Sequence, residues 1–201
     1  MFRADGISVG RGGITLLNGI SFDLKAGQAL IVTGPNGIGK TTLLRALVGL
    51  QPALSGSLIG EDPAYAGHAD AIKATLTVSE NLTFWSQIFE TNDIEAAIQA
   101  FDLGSLRDRL AGKLSAGQRR RLGLARMMVT GRKLWVMDEP TVSLDAASVD
   151  RFAHVIQNHL AAGGAAIIAT HLDLGIKAKS LDVSTHKAAP TATNGFEEAF
   201  L

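Results

Sequence analysis

A glycine-rich stretch at residues 34–41 limits what this chain can fold into more than any other feature of its sequence. It reads Gly-Pro-Asn-Gly-Ile-Gly-Lys-Thr and fits the phosphate-binding pattern G-x-x-x-x-G-K-[ST]. The apolar run at residues 29–32 predicts a buried strand before it, and residues 42–48 continue as a predicted helix. A strand, a glycine loop and a helix start aim backbone N–H groups at one point and favour an anion there. The chain is therefore expected to bind a phosphorylated ligand.

The residues of this loop have separate expected roles at a nucleotide. Lys40 places a positive charge at the β and γ phosphates, and the Thr41 hydroxyl can ligate Mg²⁺. The residues expected to contact the nucleotide here are Gly34, Pro35, Asn36, Gly37, Ile38, Gly39, Lys40, Thr41 and Thr42. A glycine turn with nothing bound is the alternative, which the flanking strand and helix disfavour. The loop alone leaves kinases, GTPases and motor proteins open.

Four further short elements follow the glycine loop, and each carries polar groups of a recognisable kind. They are Leu-Ser-Ala-Gly-Gln at 114–118, an apolar strand ending in two carboxylates at 134–139, Ser-Leu-Asp at 143–145, and an apolar strand ending in histidine at 165–171. In this order and at this approximate spacing, the elements resemble those of the ATP-binding-cassette (ABC) ATPases. The resemblance covers about residues 11–175.

The resemblance implies an α/β fold built on a P-loop NTPase core. The core sheet is expected to be mostly parallel, next to a small antiparallel β-subdomain and an inserted α-helical subdomain at about residues 72–128. One ABC ATP-binding domain is expected over residues 1–185. A flexible C-terminal tail is expected at residues 186–201, of which residues 186–193 are rich in Ala, Pro and Thr.

Local capping patterns agree with helices in the second half of the chain. Thr77 or Ser79 can cap a helix whose first turn holds Glu80. Residues 115–129 keep helical spacing of their apolar positions. A later helix is expected to start with Ser148 as its cap.

Hydrolysis of a γ-phosphate needs an aligned water, a group that accepts its proton, and positive charge that balances the negative charge on the γ-phosphate oxygens. Asp138, at the end of a buried strand, is expected to hold Mg²⁺ together with Thr41. Resemblance to the family makes Glu139 the general base and His171 the residue that braces the γ-phosphate, with Lys40 as the third catalytic residue. The alternatives are a second structural acid for Glu139 and a structural histidine for His171.

The Leu-Ser-Ala-Gly-Gln segment has a different expected role. In ABC ATPases it lies far from the glycine loop of its own chain and closes on the nucleotide of a second subunit. By this resemblance, Ser115, Gly117 and Gln118 are expected to contact the nucleotide of a second copy, and Asp145 is expected among the nucleotide-site residues. The resemblance thus implies a head-to-tail pair of copies with two ATP molecules between them.

Two positions depart from the common ABC pattern. His68 stands where ABC ATPases usually have a glutamine that contacts Mg²⁺ and the water bound to it. A histidine can still accept a hydrogen bond from a metal-bound water. Arg11 stands where an aromatic residue usually stacks on adenine, and a guanidinium can also stack on a base. Both are expected to contact the nucleotide, and His68 also the metal. Loop surface residues are the alternative for both.

These departures narrow the resemblance to one group of ABC ATPases. Together with the arginines after residue 118 and the chain length of 201 residues, they resemble the ATPase subunits of bacterial cytochrome c maturation haem exporters. The resemblance implies an ATP- and Mg²⁺-dependent ATPase, bound to integral-membrane partners of the CcmB and CcmC kind. It also implies a peripheral position on the cytoplasmic face of the inner membrane. The alternatives are the ATPase subunit of another small exporter, for lipid or drug, and a soluble ABC ATPase without a transport role.

Composition excludes some other partners. Lys plus Arg and Asp plus Glu both number 19, so no net field attracts nucleic acid, and the arginines at 119–121 are expected on a solvated face or against a partner protein. No cysteine is present, which excludes thiolate chemistry. No apolar run reaches the length of a membrane span, so any membrane part is expected to be another chain. His154 and His159 are expected to be solvated on different helix faces, and direct haem binding is not expected.

Overall fold

Two β-sheets form the frame of the protein in the computed structural model, which describes residues 2–91 and 93–189. The strands are β1 (Phe2–Arg11), β2 (Ile14–Leu24), β3 (Ala29–Thr33), β4 (Ser55–Gly60), β5 (Pro63–Ala66), β6 (Leu134–Asp138), β7 (Ala165–Ala169) and β8 (Lys179–Asp182). One sheet has the order β2-β1-β4 and is antiparallel. The other has the order β5-β6-β7-β3-β8, and all its neighbouring strands are parallel.

Helices connect the strands of the parallel sheet. They are α1 (Lys40–Leu47), α2 (Val78–Ile88), α3 (Glu95–Ala100), α4 (Ala116–Met128) and α5 (Ala146–Ala161), with short 3₁₀ turns at Gly104–Leu106, Ala111–Lys113 and Val183–His186. The parallel core sheet, the separate antiparallel sheet and the helices between them confirm the predicted α/β fold class.

Strand β6 shows why the core sheet is buried on both faces. All five of its residues are buried, as are all five of β7, which is typical of a parallel sheet covered by other layers. Trp135 and Met137 point into a core shared with helices α2 to α5. Leu134 and Val136 point the other way, into a core shared with α1 and the antiparallel sheet. The alternation of a strand thus divides β6 between two hydrophobic cores.

The carboxyl ends of three neighbouring strands bring the predicted site residues to one edge of the sheet. Strand β3 leads into the glycine loop, β6 ends at Asp138, and β7 is followed by Thr170 and His171. These strands pair in parallel, so their carboxyl ends lie side by side. Ligand sites of open α/β sheets form at this edge.

Two helices begin with capping boxes, of which the sequence predicts the first, with Thr77 or Ser79 as the cap. The Thr77 side chain accepts from the Glu80 backbone N–H, and the Glu80 carboxylate accepts from the Thr77 N–H. The Ser115 hydroxyl and the Gln118 side chain make the same reciprocal pair at the start of α4. Each box satisfies two backbone donors that a helix end leaves unpaired.

The start of α5 differs from its prediction. The helix begins at Ala146, and its cap is Asp145, whose carboxylate accepts from the Ser148 backbone N–H at 2.8 Å. Hydrogen bonds from the side chain and the backbone N–H of Ser148 hold the pKa of the Asp145 carboxyl below its ordinary value. The prediction of Ser148 as the cap was wrong, because the Asp145 carboxylate caps the helix three residues earlier and Ser148 is already its third residue.

His159 also differs from its prediction. Its ring stacks on that of Trp135, with centroids 3.7 Å apart and planes 12° from parallel. Burial lowers the pKa of His159, so it is not the solvated histidine expected from the sequence. His154, one and a half turns earlier, is exposed as expected.

Residues 190–201, most of the expected flexible tail, lie outside the described residues. Before them, the His186 ring lies 3.2 Å from the Asn18 carbonyl oxygen, and the Ala188 N–H donates to Leu16 of β2. The domain limit at residue 185 stays a prediction. Within residues 2–91 and 93–189, no helix combines the length and the apolar character that crossing a bilayer requires.

Candidate active site

The glycine loop requires glycine at particular positions. Gly34, Gly37 and Gly39 have φ angles of +143°, +77° and +117°, a region that other residues enter only with strain. A Cβ on Gly34 would lie 2.9 Å from the Val183 side chain. Gly39 is the N-cap of α1 and carries no capping side chain, so the first N–H groups of that helix are free to meet a phosphate.

Lys40 lies across this loop. It is largely buried, and its ammonium donates to the carbonyl oxygens of Gly34 at 2.7 Å and Pro35 at 3.3 Å. The same Nζ lies 3.1 Å from His171 Nε2. A buried ammonium held by the loop's own carbonyls supplies fixed positive charge where the phosphates of a nucleotide would sit.

Asp138 and Thr41 form the candidate metal site. The Thr41 hydroxyl donates to Asp138 Oδ2 at 2.7 Å, and His68 Nε2 lies 3.8 Å from the same oxygen. Asp138 is fully buried, and its Oδ1 is left without a hydrogen-bond partner. An orphaned carboxylate oxygen is costly to bury, and a cation would satisfy it. The residues therefore fit Mg²⁺, which prefers oxygen ligands.

Protein side chains alone do not complete this metal site. Within the described part of the chain, no group of three or more His, Cys, Asp or Glu side chains is placed to hold an ion. A divalent cation here would take its remaining ligands from waters and phosphate oxygens, which is the usual situation of Mg²⁺ in nucleotide sites.

Glu139 follows the metal carboxylate in an unusual backbone conformation. Its φ of +46° is left-handed, which costs energy for a residue with a Cβ and is typical of functional sites. Its N–H donates to the Ala169 carbonyl oxygen at 2.9 Å, which ties the turn to β7. Its carboxylate oxygen Oε1 lies 3.6 Å from His171 Nε2. This places a partly exposed proton acceptor beside the glycine loop.

His171 is the point where these groups meet. Its Nε2 lies 3.1 Å from both Lys40 Nζ and Asn36 Oδ1, besides its approach to Glu139. The structure thus brings together the residues predicted as catalytic, Lys40, Glu139 and His171. It also places the predicted metal residues Thr41, Asp138 and His68 next to them.

Ser115 and Gln118, which are predicted to contact the nucleotide of a second copy, direct their side-chain hydrogen bonds away from this cluster. The side chains of Ser115 and Gln118 bond to each other's backbone N–H groups, and Ser115 is exposed. A Cβ on Gly117 would lie 2.8 Å from the Ser143 carbonyl oxygen, so the start of α4 rests closely on the turn after Glu139. An exposed hydroxyl at a helix start remains available to a second molecule.

Two further predicted contacts lie at the periphery. Arg11 is exposed at the end of β1, in a hairpin that turns through residues 12 and 13. Leu16 and Leu17 of the same hairpin lie 3.3 Å from the position of a Cβ on Gly39, so the hairpin flanks the glycine loop. Asp145 is exposed and caps α5. Their roles at a nucleotide stay predictions.

Arg120 lies beside the candidate base, a position that the sequence does not predict. It is buried, and its guanidinium donates to carbonyl oxygens of Asp138 and Glu139. The expected solvated or partner-facing position is therefore wrong for this arginine. Helical spacing does indicate that Arg120 is buried, because it lies on the same face of α4 as Leu124 and Met127, which are both buried.

Known proteins are similar to this chain over most of its length. The family model described as ABC transporter matches residues 17–142. A cytochrome c biogenesis ATP-binding export protein CcmA from Roseobacter denitrificans is 58% identical, covering 98% of both chains. The protein of the same name from Rhodobacter capsulatus is 56% identical, covering 100% of this chain and 95% of that one.

Solved structures show the same fold. A putative ABC transporter ATP-binding protein from Pyrococcus furiosus superposes with a TM-score of 0.84 at 23% identity, covering 93% of this chain and 99% of the other. An ATP-binding subunit of an ABC transporter gives a TM-score of 0.78, covering 86% of this chain and 80% of that one. With the family match and the CcmA relatives, the chain belongs to the ABC transporter family and, within it, to the CcmA family.

Proposed function

We propose that this protein is the ATP-hydrolysing subunit of a membrane ABC exporter that serves cytochrome c maturation, with haem export as the coupled process. The observation that carries the ATPase part is the meeting of Lys40, Glu139 and His171 beside the Thr41–Asp138 pair. Similarity to the CcmA proteins over nearly the full chain supports the cytochrome c part.

The proposed reaction uses the chain's own groups in a definite order. The glycine-loop N–H groups and Lys40 bind the β and γ phosphates of ATP. Thr41 and Asp138 would hold Mg²⁺, which when bound neutralises charge on the phosphates. Glu139 takes a proton from a water molecule while the oxygen of that water bonds to the γ phosphorus. The bond between the γ phosphorus and the β–γ bridging oxygen breaks at the same time. ADP and phosphate are the products, and His171 keeps the base oriented toward the γ-phosphate.

The proposed active assembly contains two copies of the chain. The start of α4 carries an exposed Ser115 hydroxyl beside the first turn of the helix, where the macrodipole favours an anion. Contact between this segment and the γ-phosphate bound to a second copy would complete each site across the interface. Such a pair is two-fold symmetric and holds two ATP molecules.

Ser115→Arg tests the two-copy site. The variant is expected to fold and to bind ATP at its own glycine loop, since losing an exposed cap costs only about 1 kcal/mol. It is expected to lose hydrolysis, because a bulky cation blocks closure on the second copy. Fluorescent nucleotide binding and phosphate release measure the two properties separately.

Mixing two inactive chains sharpens this test. In a mixed pair, the Ser115→Arg chain supplies an intact glycine loop and the Lys40→Ala chain supplies an intact Leu-Ser-Ala-Gly-Gln segment. These two elements form one complete site only if they act across chains. Partial activity from the mixture supports the arrangement. Full activity of Ser115→Arg alone would rule it out.

A groove next to His68 is the proposed docking surface for the membrane partner. Its volume is about 480 Å³, and Tyr65, His68, Phe89 and Arg126 are among its lining residues. The Arg126 guanidinium lies 4.7 Å from the Trp85 ring centre and donates to the Tyr65 carbonyl oxygen, and these two contacts hold this side chain at the groove wall. A helix of a CcmB- or CcmC-type subunit that binds in this groove would contact His68, which lies next to the candidate metal site. The chain would then lie peripherally on the cytoplasmic face of the inner membrane.

Purification of the tagged chain from membranes distinguishes the candidate functions. Membrane subunits of a cytochrome c maturation system are expected to co-purify in the presence of ATP. A lipid or drug exporter's membrane subunit in their place would favour the second candidate, and recovery from the soluble fraction alone would favour an ABC ATPase without a transport role. The three outcomes are separated by identifying the co-purified proteins by mass spectrometry.

A further inference from the structure

Arg120, in α4, holds the turn that carries the candidate base. It is only 6% exposed. Nε donates to the Pro140 carbonyl oxygen at 3.0 Å, and Nη2 donates to those of Asp138 at 3.2 Å and Glu139 at 2.8 Å. Three consecutive carbonyl groups therefore converge on one guanidinium. The middle one belongs to Glu139, whose left-handed φ of +46° needs support from its surroundings.

The other side of the same guanidinium holds the loop that carries His68. Nη1 donates to the Gly67 carbonyl oxygen at 2.8 Å and to Asp70 Oδ1 at 3.0 Å. Helix α4 lies against this loop without space between them, because a Cβ on Gly123 would lie 2.8 Å from the Asp70 Cβ. The Asp70 carboxylate balances the buried charge of the arginine.

We propose that Arg120 is a positioning residue for hydrolysis, which fixes Glu139 and the His68 loop relative to the helix that starts at Ser115. This rests on the proposed ATPase function. Arg120 contacts backbone carbonyls and Asp70, and it acts on the reaction through Glu139 and His68. The same helix also presents Ser115 to the second copy in the proposed pair.

The chemistry of the side chain explains why an arginine is required here. A guanidinium has five N–H donors in a planar fork, and this one uses them on five acceptors from two segments. Lysine has three donors at one point and cannot reach both segments. Glutamine has two donors and no charge for Asp70. Neither substitution changes the Lys40 or Thr41 contacts, so nucleotide binding is expected to be retained.

Arg121 provides a matched control on the same helix. It is also mostly buried, and its Nη1 donates to the carbonyl oxygens of Phe101 and Asp102 and to the Asp102 carboxylate. Asp102, like Glu139, has a left-handed φ, of +51°. Arg121 thus clamps a strained turn outside the site. Its loss is expected to lower thermal stability without selective loss of turnover.

The experiment compares Arg120→Lys, Arg120→Gln and Asp70→Asn with Arg121→Gln in steady-state ATP hydrolysis, ATP binding and thermal unfolding. For both Arg120 variants, we expect kcat to fall about tenfold or more while KM and ATP affinity change less than about threefold, the pattern of a lost transition-state contribution. Asp70→Asn keeps an acceptor oxygen but removes the negative charge that balances Arg120, and it is expected to lower kcat by a smaller factor. Arg121→Gln is expected to keep kcat within about twofold of the wild type. Thermal unfolding identifies any variant that does not fold, and Asp70→Asn and Arg120→Lys, as the milder changes, then carry the test.

A double substitution tests the connection between Arg120 and His68. If Arg120 acts through the His68 loop, His68→Ala is expected to lower kcat much less in the Arg120→Lys background than in the wild type. Independent effects of the two changes, or equal kcat in the Arg120 and Arg121 variants, would overturn the positioning role. Absence of hydrolysis by the wild type would contradict the proposed function instead, so the two failures are distinguishable.

Discussion

Glu139→Gln is expected to lower the rate of ATP hydrolysis by about 10²- to 10⁴-fold, the contribution of a positioned general base. The amide has nearly the shape of the carboxylate but cannot accept the proton of the attacking water. The glycine loop and the Thr41–Asp138 pair are untouched, so ATP affinity is expected to be retained. The variant is therefore expected to accumulate as an ATP-bound pair, which size-exclusion chromatography with ATP and single-turnover phosphate release measure.

Glu90→Gln is the matched control for this substitution. Glu90 is an exposed glutamate with a φ of +55°, so it shares the left-handed backbone of Glu139 but lies at the end of α2. Its amide variant is expected to hydrolyse ATP at the wild-type rate. Near-normal single-turnover hydrolysis by Glu139→Gln would remove Glu139 from the role of base.

Lys40→Ala is expected to weaken ATP binding as well as turnover. A charge-assisted hydrogen bond is worth about 1.5–3 kcal/mol, which corresponds to about 10- to 150-fold in affinity. The lost ammonium also contacts His171, so the bracing of the base is disturbed and kcat is expected to fall. Titration with a fluorescent ATP analogue and steady-state hydrolysis measure the two effects.

Lys25→Ala, which removes an exposed lysine outside the loop, is expected to leave both measurements unchanged. Thermal unfolding of Lys40→Ala shows whether the carbonyls of Gly34 and Pro35, which lose their donor, destabilise the chain. Unchanged ATP affinity in a folded Lys40→Ala chain would contradict the assignment of the glycine loop.

Much of the fold follows from local sequence signals that the structure confirms. The run at residues 29–32 lies in β3, and capping boxes begin α2 at Thr77 and α4 at Ser115. These features depend on residues close to one another in sequence. Capping partners lie within one helical turn, and an apolar run marks a strand that the fold will bury, so a single sequence is enough to predict both.

The missed features depend on contacts distant in sequence. Three successive arginines at 119–121 point around the circumference of α4. Helical spacing places Arg120 on a buried face, but it does not show that the partners there are the carbonyls of Asp138 and Glu139. The left-handed backbone of Glu139 is also invisible in the sequence, because tertiary contacts impose it on a residue that disfavours it. Stacking of His159 on Trp135 likewise joins an α5 residue to β6.

The most direct test of the proposed function is the content of c-type cytochromes in a Rhodobacter capsulatus strain that lacks its own CcmA. At equal abundance in the membrane fraction, the wild-type chain is expected to restore covalently bound haem on c-type cytochromes, and Glu139→Gln is expected to restore none. Restoration by Glu139→Gln to the wild-type level would show that ATP hydrolysis at this site is not required. No restoration by the wild-type chain, at the same abundance as the native protein, would contradict the role in cytochrome c maturation.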